Sequence, residues 1–302
     1  MFTNKNYELW HGDCLELMKN IPSKSIDCIF VDLPYGTTNC KWDCLIPLND
    51  YVIVNNKFFY ENEYLLNAMQ KNDKSFEYNK QWFYENKKIG LWTHYNRIIK
   101  NNGVILLSAQ TPFDKILGAS NPKMLKYEWI WEKTQATGHL NAKKMPMKAH
   151  ENILVFYKKL PTYNPQKTEG HKPVNSYTKY VSTQNKTEVY GKFDKEVSGG
   201  GDTTRYPRSV LTFPSDKQTC NLHSTQKPLA LCEYMIKTYT NENDVILDSC
   251  MGSGTAGAAA LKLNRKFIGI EKEEKYFNIA KERIENYEQS QYKNQEDTRG
   301  YH

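Results

Sequence analysis

The stretch DVILDSCMGSGTAGAAALKLNRKFIGIEK, residues 244–272, constrains the fold more than any other part of the chain. DVILDSC (244–250) and KFIGIEK (266–272) are short apolar runs that read as strands. Between them MGSGTAGAAALKLN (251–264) is a glycine turn running into an alanine-rich helix. The alternation recurs elsewhere. DCLELMKNI (13–21) has helical spacing and precedes the strand IDCIFVDL (26–33). LWTHYNRIIKNNGVILLSA (91–109) reads as a helix stopped at Asn101-Asn102-Gly103 and followed by a strand. KYEWIWEK (126–133) and ENILVFYKK (151–159) are further strands, KPLALCEYMIKTYT (227–240) is an amphipathic helix, and EKYFNIAKERIENYE (274–288) closes the pattern. Strands alternating with helices imply an α/β fold built on a doubly wound, mostly parallel sheet.

Two regions interrupt the alternation. Residues 49–88 are rich in Asn, Lys and aromatics, and helices are expected there without definable bounds. Residues 160–222 are polar, hold Gly and Pro, and keep no period, as in an irregular, mobile insertion. The expected organisation is a catalytic domain over 1–159 and 223–288, an insertion over 160–222, and a polar tail over 289–302 that frays.

Seven cysteines, an odd number, lie scattered at 14, 28, 40, 44, 220, 232 and 250. That scatter suits reduced cytoplasmic thiols, not a disulfide framework. Cys40 and Cys44 have no second Cys/His pair at zinc spacing, so no metal is expected. With no leader and no apolar stretch near 18 residues, the sequence reads as soluble, intracellular and without a membrane partner. The formal net charge of +7 permits a polyanionic partner without requiring one.

The glycine turn suggests a ligand. Gly252 and Gly254 let backbone approach a bound group where a helix begins, and Glu271 ends the next strand, where a carboxylate can bind ribose hydroxyls. There is no Walker lysine. Asp248 just before the turn would repel a pyrophosphate and suits a cationic group instead. S-adenosylmethionine fits, with its ribose, its adenine, and an α-amino group beside a sulfonium. A plain strand-to-helix turn is the competing account of the glycines. Asp13 in HGDCLEL (11–17) likewise reads, by itself, as a helix N-cap.

A second unusual turn is Asp32-Leu33-Pro34-Tyr35-Gly36, which follows the apolar run Cys28–Val31. Adenine's exocyclic amino group is a weak nucleophile because its lone pair is delocalised into the ring. Acceptors that hold its N–H groups would favour a pyramidal nitrogen. Asp32 offers a side-chain acceptor, the Leu33 carbonyl a second, and Pro34 stiffens the turn. Tyr35 offers a flat face to a base taken out of its stack. Without context the same residues describe a simple turn capped by Asp32.

With these motifs in order, the sequence resembles the β-arrangement DNA amino-methyltransferases, the N6-adenine/N4-cytosine group with an Asp-Pro-Pro-Tyr-type motif. Asp32-Leu33-Pro34-Tyr35 matches that motif, with Leu33 where the family usually has proline. HSTQKP (223–228) resembles the block lining the methionine end of the cofactor, DSCMGSGT (248–255) the glycine motif, and FIGIEKEEKYF (267–277) the acidic strand. HGDCLEL resembles the segment whose aspartate binds the cofactor's adenine. WEK, HENILVFYKK and PRSVLTF also fit, and the match covers about 1–48, 89–160 and 205–287. The resemblance implies a Rossmann-like S-adenosylmethionine-dependent methyltransferase fold of permuted motif order, with a target-recognition region in the insertion. It implies Asp13, Cys14, His223, Thr225, Lys227, Asp248, Cys250, Gly252, Ser253, Gly254, Thr255 and Glu271 as cofactor residues, and Asp32, Leu33, Pro34 and Tyr35 as the catalytic turn.

Asp at position 32, where Ser would suit cytosine N4, favours adenine N6; the N4 activity and a DNA-binding relative without activity are the alternatives. Cytosine C5 chemistry is not expected, since the chain has no Pro-Cys dipeptide. Flipping a base from DNA needs cationic contacts. Lys143, Lys144 and Lys148 in NAKKMPMKAH, with Arg205 and Arg208 in TTRYPRS, are the candidates. Double-stranded DNA is the expected partner; a companion restriction endonuclease and a homodimer are further partners the resemblance allows.

Overall fold

The computed structural model describes residues 2–3, 5–36, 45–54, 57–60, 85–181, 195–216 and 226–299. The chain divides into two compact units, Met1–Asn164 with Ser209–His302, and Pro165–Arg208.

In chain order the strands are β1 (Phe2–Thr3), β2 (Tyr7–His11), β3 (Ile26–Asp32), β4 (Tyr51–Val54), β5 (Lys57–Tyr60), β6 (Ile99–Ala109), β7 (Leu125–Thr137), β8 (Lys148–Phe156), β9 (Tyr177–Val181), β10 (Lys195–Gly199), β11 (Val210–Phe213), β12 (Val245–Asp248) and β13 (Lys266–Glu271). The helices are α1 (Cys14–Leu17), α2 (Leu91–Ile98), α3 (Phe113–Ser120), α4 (Leu229–Tyr239), α5 (Thr255–Lys262) and α6 (Glu274–Arg299).

The first unit holds a sheet of order β1-β2-β13-β12-β3-β6-β8-β7-β11. From β2 through β6 every neighbouring pair is parallel, while β8 runs antiparallel to both β6 and β7. The middles of the central strands, such as Cys28–Val31 and Val104–Leu107, are apolar because both faces are covered. In β3, Ile29 and Val31 pack into a cluster with Trp92, Tyr95 and Ile98, while Cys28 and Phe30 pack into another with Met235 and Ile236. This period of two divides each strand between two cores.

Several boundaries differ from the sequence reading. Helix α2 ends at Ile98, and Asn101-Asn102-Gly103 lies inside β6, whose Ile99 pairs with Ile26. Gly103 is there for close approach, since a Cβ on it would lie 2.8 Å from the Asp27 carbonyl oxygen. Helix α6 runs on to Arg299, past the 288 boundary where the tail was expected to fray. In 49–88, β4 and β5 form an antiparallel hairpin where helices were expected, and residues 61–84 lie outside the described residues.

Residues 160–164 and 209–216, counted with the insertion in the sequence, belong to the first unit; β11 pairs with β7 at the sheet edge. The second unit is more regular than the sequence suggested. It holds the antiparallel pair β9–β10 and a bridge between Thr168 and Arg205.

Candidate active site and nucleic-acid interface

The carboxyl ends of β3, β12 and β13 bring three carboxylates to one edge of the sheet, where open α/β sheets bind ligands. β12 pairs with β3 through Leu247 and Ile29, so Asp248 stands beside Phe30 and Asp32 lies about 6–7 Å farther along. Asp248 is 5% exposed, and the Cys250 N–H donates to its Oδ1 at 3.0 Å. Glu271 accepts the Gly252 N–H at 2.9 Å on Oε2 and the Glu273 N–H at 2.8 Å on Oε1. The Gly252–Glu271 bond fastens the glycine turn to the acidic strand. Gly254, with φ +74°, forms the N-cap of α5.

Burial pushes the Asp248 carboxyl well above the ordinary carboxylate range, opposed by the Cys250 N–H and reinforced by the negative charges of Asp32 and Glu271. Glu271 is also raised by burial, against the N–H donors it accepts.

Asp32 ends β3 with both oxygens engaged. The Tyr35 hydroxyl donates to Oδ1 at 2.6 Å and the Lys227 ammonium to Oδ2 at 2.6 Å. Lys227 precedes α4 and is 9% exposed, and its Nζ also lies 3.0 Å from Glu151 Oε2. Lys133 holds the other Glu151 oxygen at 2.5 Å. Burial would strip the proton from Lys227, but Asp32 and Glu151 more than reverse this and hold its pKa well above the usual lysine value. Burial would raise Glu151, yet Lys227 and Lys133 bring it down to about 2. Burial and Asp32 push the Tyr35 phenol well up, so it stays a donor. The Tyr35 ring lies 5.4 Å from Phe113, and Leu33 is 3% exposed within the turn.

The structure brings together Asp32, Tyr35 and Lys227, and beside them Asp248 and Glu271. Lys227, expected at the methionine end of the cofactor, makes its polar contacts with the catalytic turn and Glu151. Asp13 caps α1 by accepting the Leu15 N–H at 3.0 Å, and its other oxygen meets Lys272 at 3.2 Å. Cys14 is buried, and the Cys250 thiol is raised by its bond with Cys14 and by burial. Ser253 Oγ lies 3.4 Å from Gln226 Oε1, and Arg283 donates to Thr255 Oγ1 at 2.8 Å. His223 and Thr225 lie outside the described residues.

Glu151, Lys133 and Gln226 were not singled out in the sequence. The available signal was a lone acid opening the apolar strand ENILVF, and an amide inside the quoted block HSTQKP.

β7 and β8 continue as a two-stranded ribbon beyond the sheet, exposed from Thr134 through His150. Asp32 pairs with Ser108, Ser108 with Ile153, and Ile153 with Trp129. From Trp129 to Thr137 the ribbon therefore reaches about 20–25 Å past the level of the catalytic carboxylate. Lys143 and Lys144 sit exposed near its tip beside Leu140 and Met145, which are 88% and 55% exposed, and Lys148 donates to Gln110 at 3.3 Å. Arg205 and Arg208 lie in the second unit. The Arg205 guanidinium donates to the carbonyls of Asp202, Thr204 and Lys172 at 2.9, 2.8 and 2.5 Å, so it ties its own turn to the segment around Lys172. Arg208 is exposed.

The residues fit S-adenosylmethionine. Three converging carboxylates, with Lys227 as their near cation, leave room for the charge of a sulfonium and an ammonium, and Glu271 can take ribose hydroxyls. Among the described residues the buried Gln226 Nε2 has no acceptor, which a carboxylate of the ligand would supply.

A doubly wound sheet with this site at its carboxyl edge is the arrangement of an S-adenosylmethionine-dependent methyltransferase. More narrowly, a family model described as DNA methylase, of the N6/N4 type, matches residues 26–282, and the chain belongs to that family. It is 26% identical over 290 residues to the type II methyltransferase M2.MboI of Moraxella bovis, covering 93% of this chain and 88% of the relative. With the DNA adenine methyltransferase YhdJ of Escherichia coli K12 it shares 25% over 297 residues, covering 94% and 84%. Among solved structures, the M1.HpyAVI complex with SAM superposes with a TM-score of 0.54 at 21% identity, over 92% of this chain and 98% of that one. The cytosine-N4-specific PvuII DNA methyltransferase gives 0.57 at 15%, over 93% and 87%. Among the described residues no helix is long and apolar enough to cross a membrane.

Proposed function

We propose that this DNA methylase transfers a methyl group to N6 of an adenine flipped out of double-stranded DNA. The observation that carries the reading is the Tyr35 hydroxyl seated on Asp32 Oδ1 at 2.6 Å, which fixes the acceptor carboxylate at the end of β3. A carboxylate so placed can take an N6 proton as a hydrogen-bond donor, and the Leu33 carbonyl can take the second. The Tyr35 and Phe113 rings provide flat apolar faces for the base. The bound cofactor supplies an electrophilic methyl carbon. Asp32 would accept the proton that the methylated amino group must lose. The name of the E. coli relative agrees with adenine as target.

In this reading the β7–β8 ribbon, through Lys143, Lys144 and Lys148, grips phosphates, and the Pro165–Arg208 unit, with Arg208, reads the bases flanking the target. In this reading the enzyme works in the cytoplasm and has a companion restriction endonuclease as partner. A tritiated-methyl transfer assay followed by nucleoside analysis tests the target atom. N6-methyladenine is expected, N4-methylcytosine as sole product overturns the choice, and saturable DNA binding without transfer marks an inactive relative. Asp32→Ala abolishes transfer while leaving cofactor affinity within about threefold; unchanged turnover refutes the role of Asp32.

A further inference from the structure

Four side chains form an alternating charge chain from the β7–β8 ribbon base to the catalytic turn: Lys133, Glu151, Lys227 and Asp32. Its contacts are unequal. Lys227 donates a hydrogen bond to Asp32 Oδ2 at 2.6 Å, whereas its approach to Glu151 Oε2 is a longer ion pair of 3.0 Å, and among the described residues that buried oxygen has no other partner. The Asp32 side is also the wetter one, with side-chain exposures of 27% for Asp32 and 13% for Glu151. Asp32 thus enters the reaction with one oxygen on Tyr35 and the other covered by an ammonium, although the target amino group needs an acceptor there.

We propose that Lys227 is a positioning residue for methyl transfer: its ammonium holds the Asp32 oxygen that the target amino group requires, and Glu151 is the anion onto which it withdraws when the base enters. This rests on the assignment of Asp32 as acceptor for the amino group. Before the base arrives, Lys227 neutralises a carboxylate close enough to the buried Asp248 to help raise its pKa. When an N6 hydrogen bond replaces it, the ammonium needs only a small rotation, because its second partner is already 3.0 Å away with free lone pairs. Without Glu151 that withdrawal would leave a buried ammonium unpaired, which is strongly unfavourable. Withdrawal also removes a positive charge from the point where N6 becomes cationic as the new bond forms. Lys133 keeps Glu151 ionised throughout, and Trp131, whose ring lies 5.2 Å from the Lys133 ammonium, keeps Lys133 in place.

The test is a double-mutant cycle of Glu151→Gln and Lys227→Met, read by single-turnover methyl transfer at saturating cofactor on DNA carrying a site first located by sequencing DNA that the wild-type enzyme has modified. Glu151→Gln alone slows transfer about tenfold, because the ammonium loses its retreat, and calorimetric cofactor affinity stays within about twofold. In the Lys227→Met background Glu151→Gln costs nothing further, since the group it receives is gone. Equal losses in both backgrounds show that Glu151 acts independently of Lys227 and overturn the proposal. A Lys227→Met variant that loses cofactor affinity but transfers at the wild-type rate once saturated also overturns it, assigning Lys227 to the cofactor. If Lys227→Met lowers melting and cofactor binding together, Lys227→Gln takes its place in the cycle. Asp32→Ala separates the levels: an active variant removes the underlying assignment, while an inactive one beside an additive cycle removes only the role of Lys227.

Discussion

Replacing Gly254 by alanine tests how the cofactor turn is held. Gly254 has φ +74°, where a Cβ meets the following carbonyl, a conflict worth about 1–2 kcal/mol for an L-residue. An added Cβ would also lie 3.0 Å from Ala280 Cβ, 3.2 Å from Ala280 Cα and 3.2 Å from Ile284 Cδ1 on α6. Ala280 and Ile284 are fully buried, so they cannot step aside freely, and overpacking of this kind costs about 1–3 kcal/mol. Taking about 3 kcal/mol for the sum, and about 2–4 °C per kcal/mol for a body of this size, melting of the ligand-free protein falls by about 6–12 °C. The measurement is circular dichroism or dye-monitored melting with and without S-adenosylmethionine. Because the Gly252 N–H ties the turn to Glu271, cofactor affinity falls as well, by about tenfold if a single charge-assisted bond is lost. A melting point within about 2 °C of wild type would show that the turn relaxes away from α6, and the packing argument would fail.

Other consequences are as direct. Glu271→Ala weakens cofactor binding about tenfold or more in calorimetry, since the carboxylate both receives the ligand and holds the Gly252 N–H; unchanged binding counts against the ribose assignment. Tyr35→Phe keeps the ring beside Phe113 and loses the 2.6 Å bond to Asp32, so turnover falls about tenfold while DNA affinity holds; parallel losses in both would make the hydroxyl a DNA contact. Asp248 has a raised folded-state pKa, so its contribution to stability is complete below the ordinary carboxylate pKa and is lost as pH rises through the folded value. The cofactor-induced rise in melting temperature should therefore be larger at pH 8 than at pH 5, and the opposite trend refutes the cationic-ligand account.

The crossover around 245–271 was legible because both its strands are buried on both faces and its turn needs glycine, all of which is local. The turn at Asp32 was legible only beside that crossover, since alone an acid after an apolar strand also describes a capped turn. The partners of Lys227 were not. Asp32 and Glu151 lie far from it in sequence, and ion pairs across a fold leave no period in the chain. The carbonyl acceptors that Arg205 meets on Asp202, Thr204 and Lys172 were not legible either, because backbone partners cannot be read from residue types. Gly103 looked like a helix stop, but its neighbour is the backbone of β3. Past Ile284 the apolar spacing of α6 fades, and a polar helix then looks like a tail.

The sheet order carries a consequence for synthesis. β3 holds the acceptor carboxylate, yet on one side its only partner is β12, and β2 likewise waits for β13. While residues 245–271 are still to be made, β3 has one unpaired edge, with Cys28 and Ile29 unbonded on that side, and no glycine turn stands beside Asp32. Such an edge invites mispairing, so the nascent chain gains from a partner that shields it until the late strands arrive. On the proposed assignments, a chain that stops before residue 245 carries the Asp32 turn without the glycine turn and is expected to transfer no methyl group.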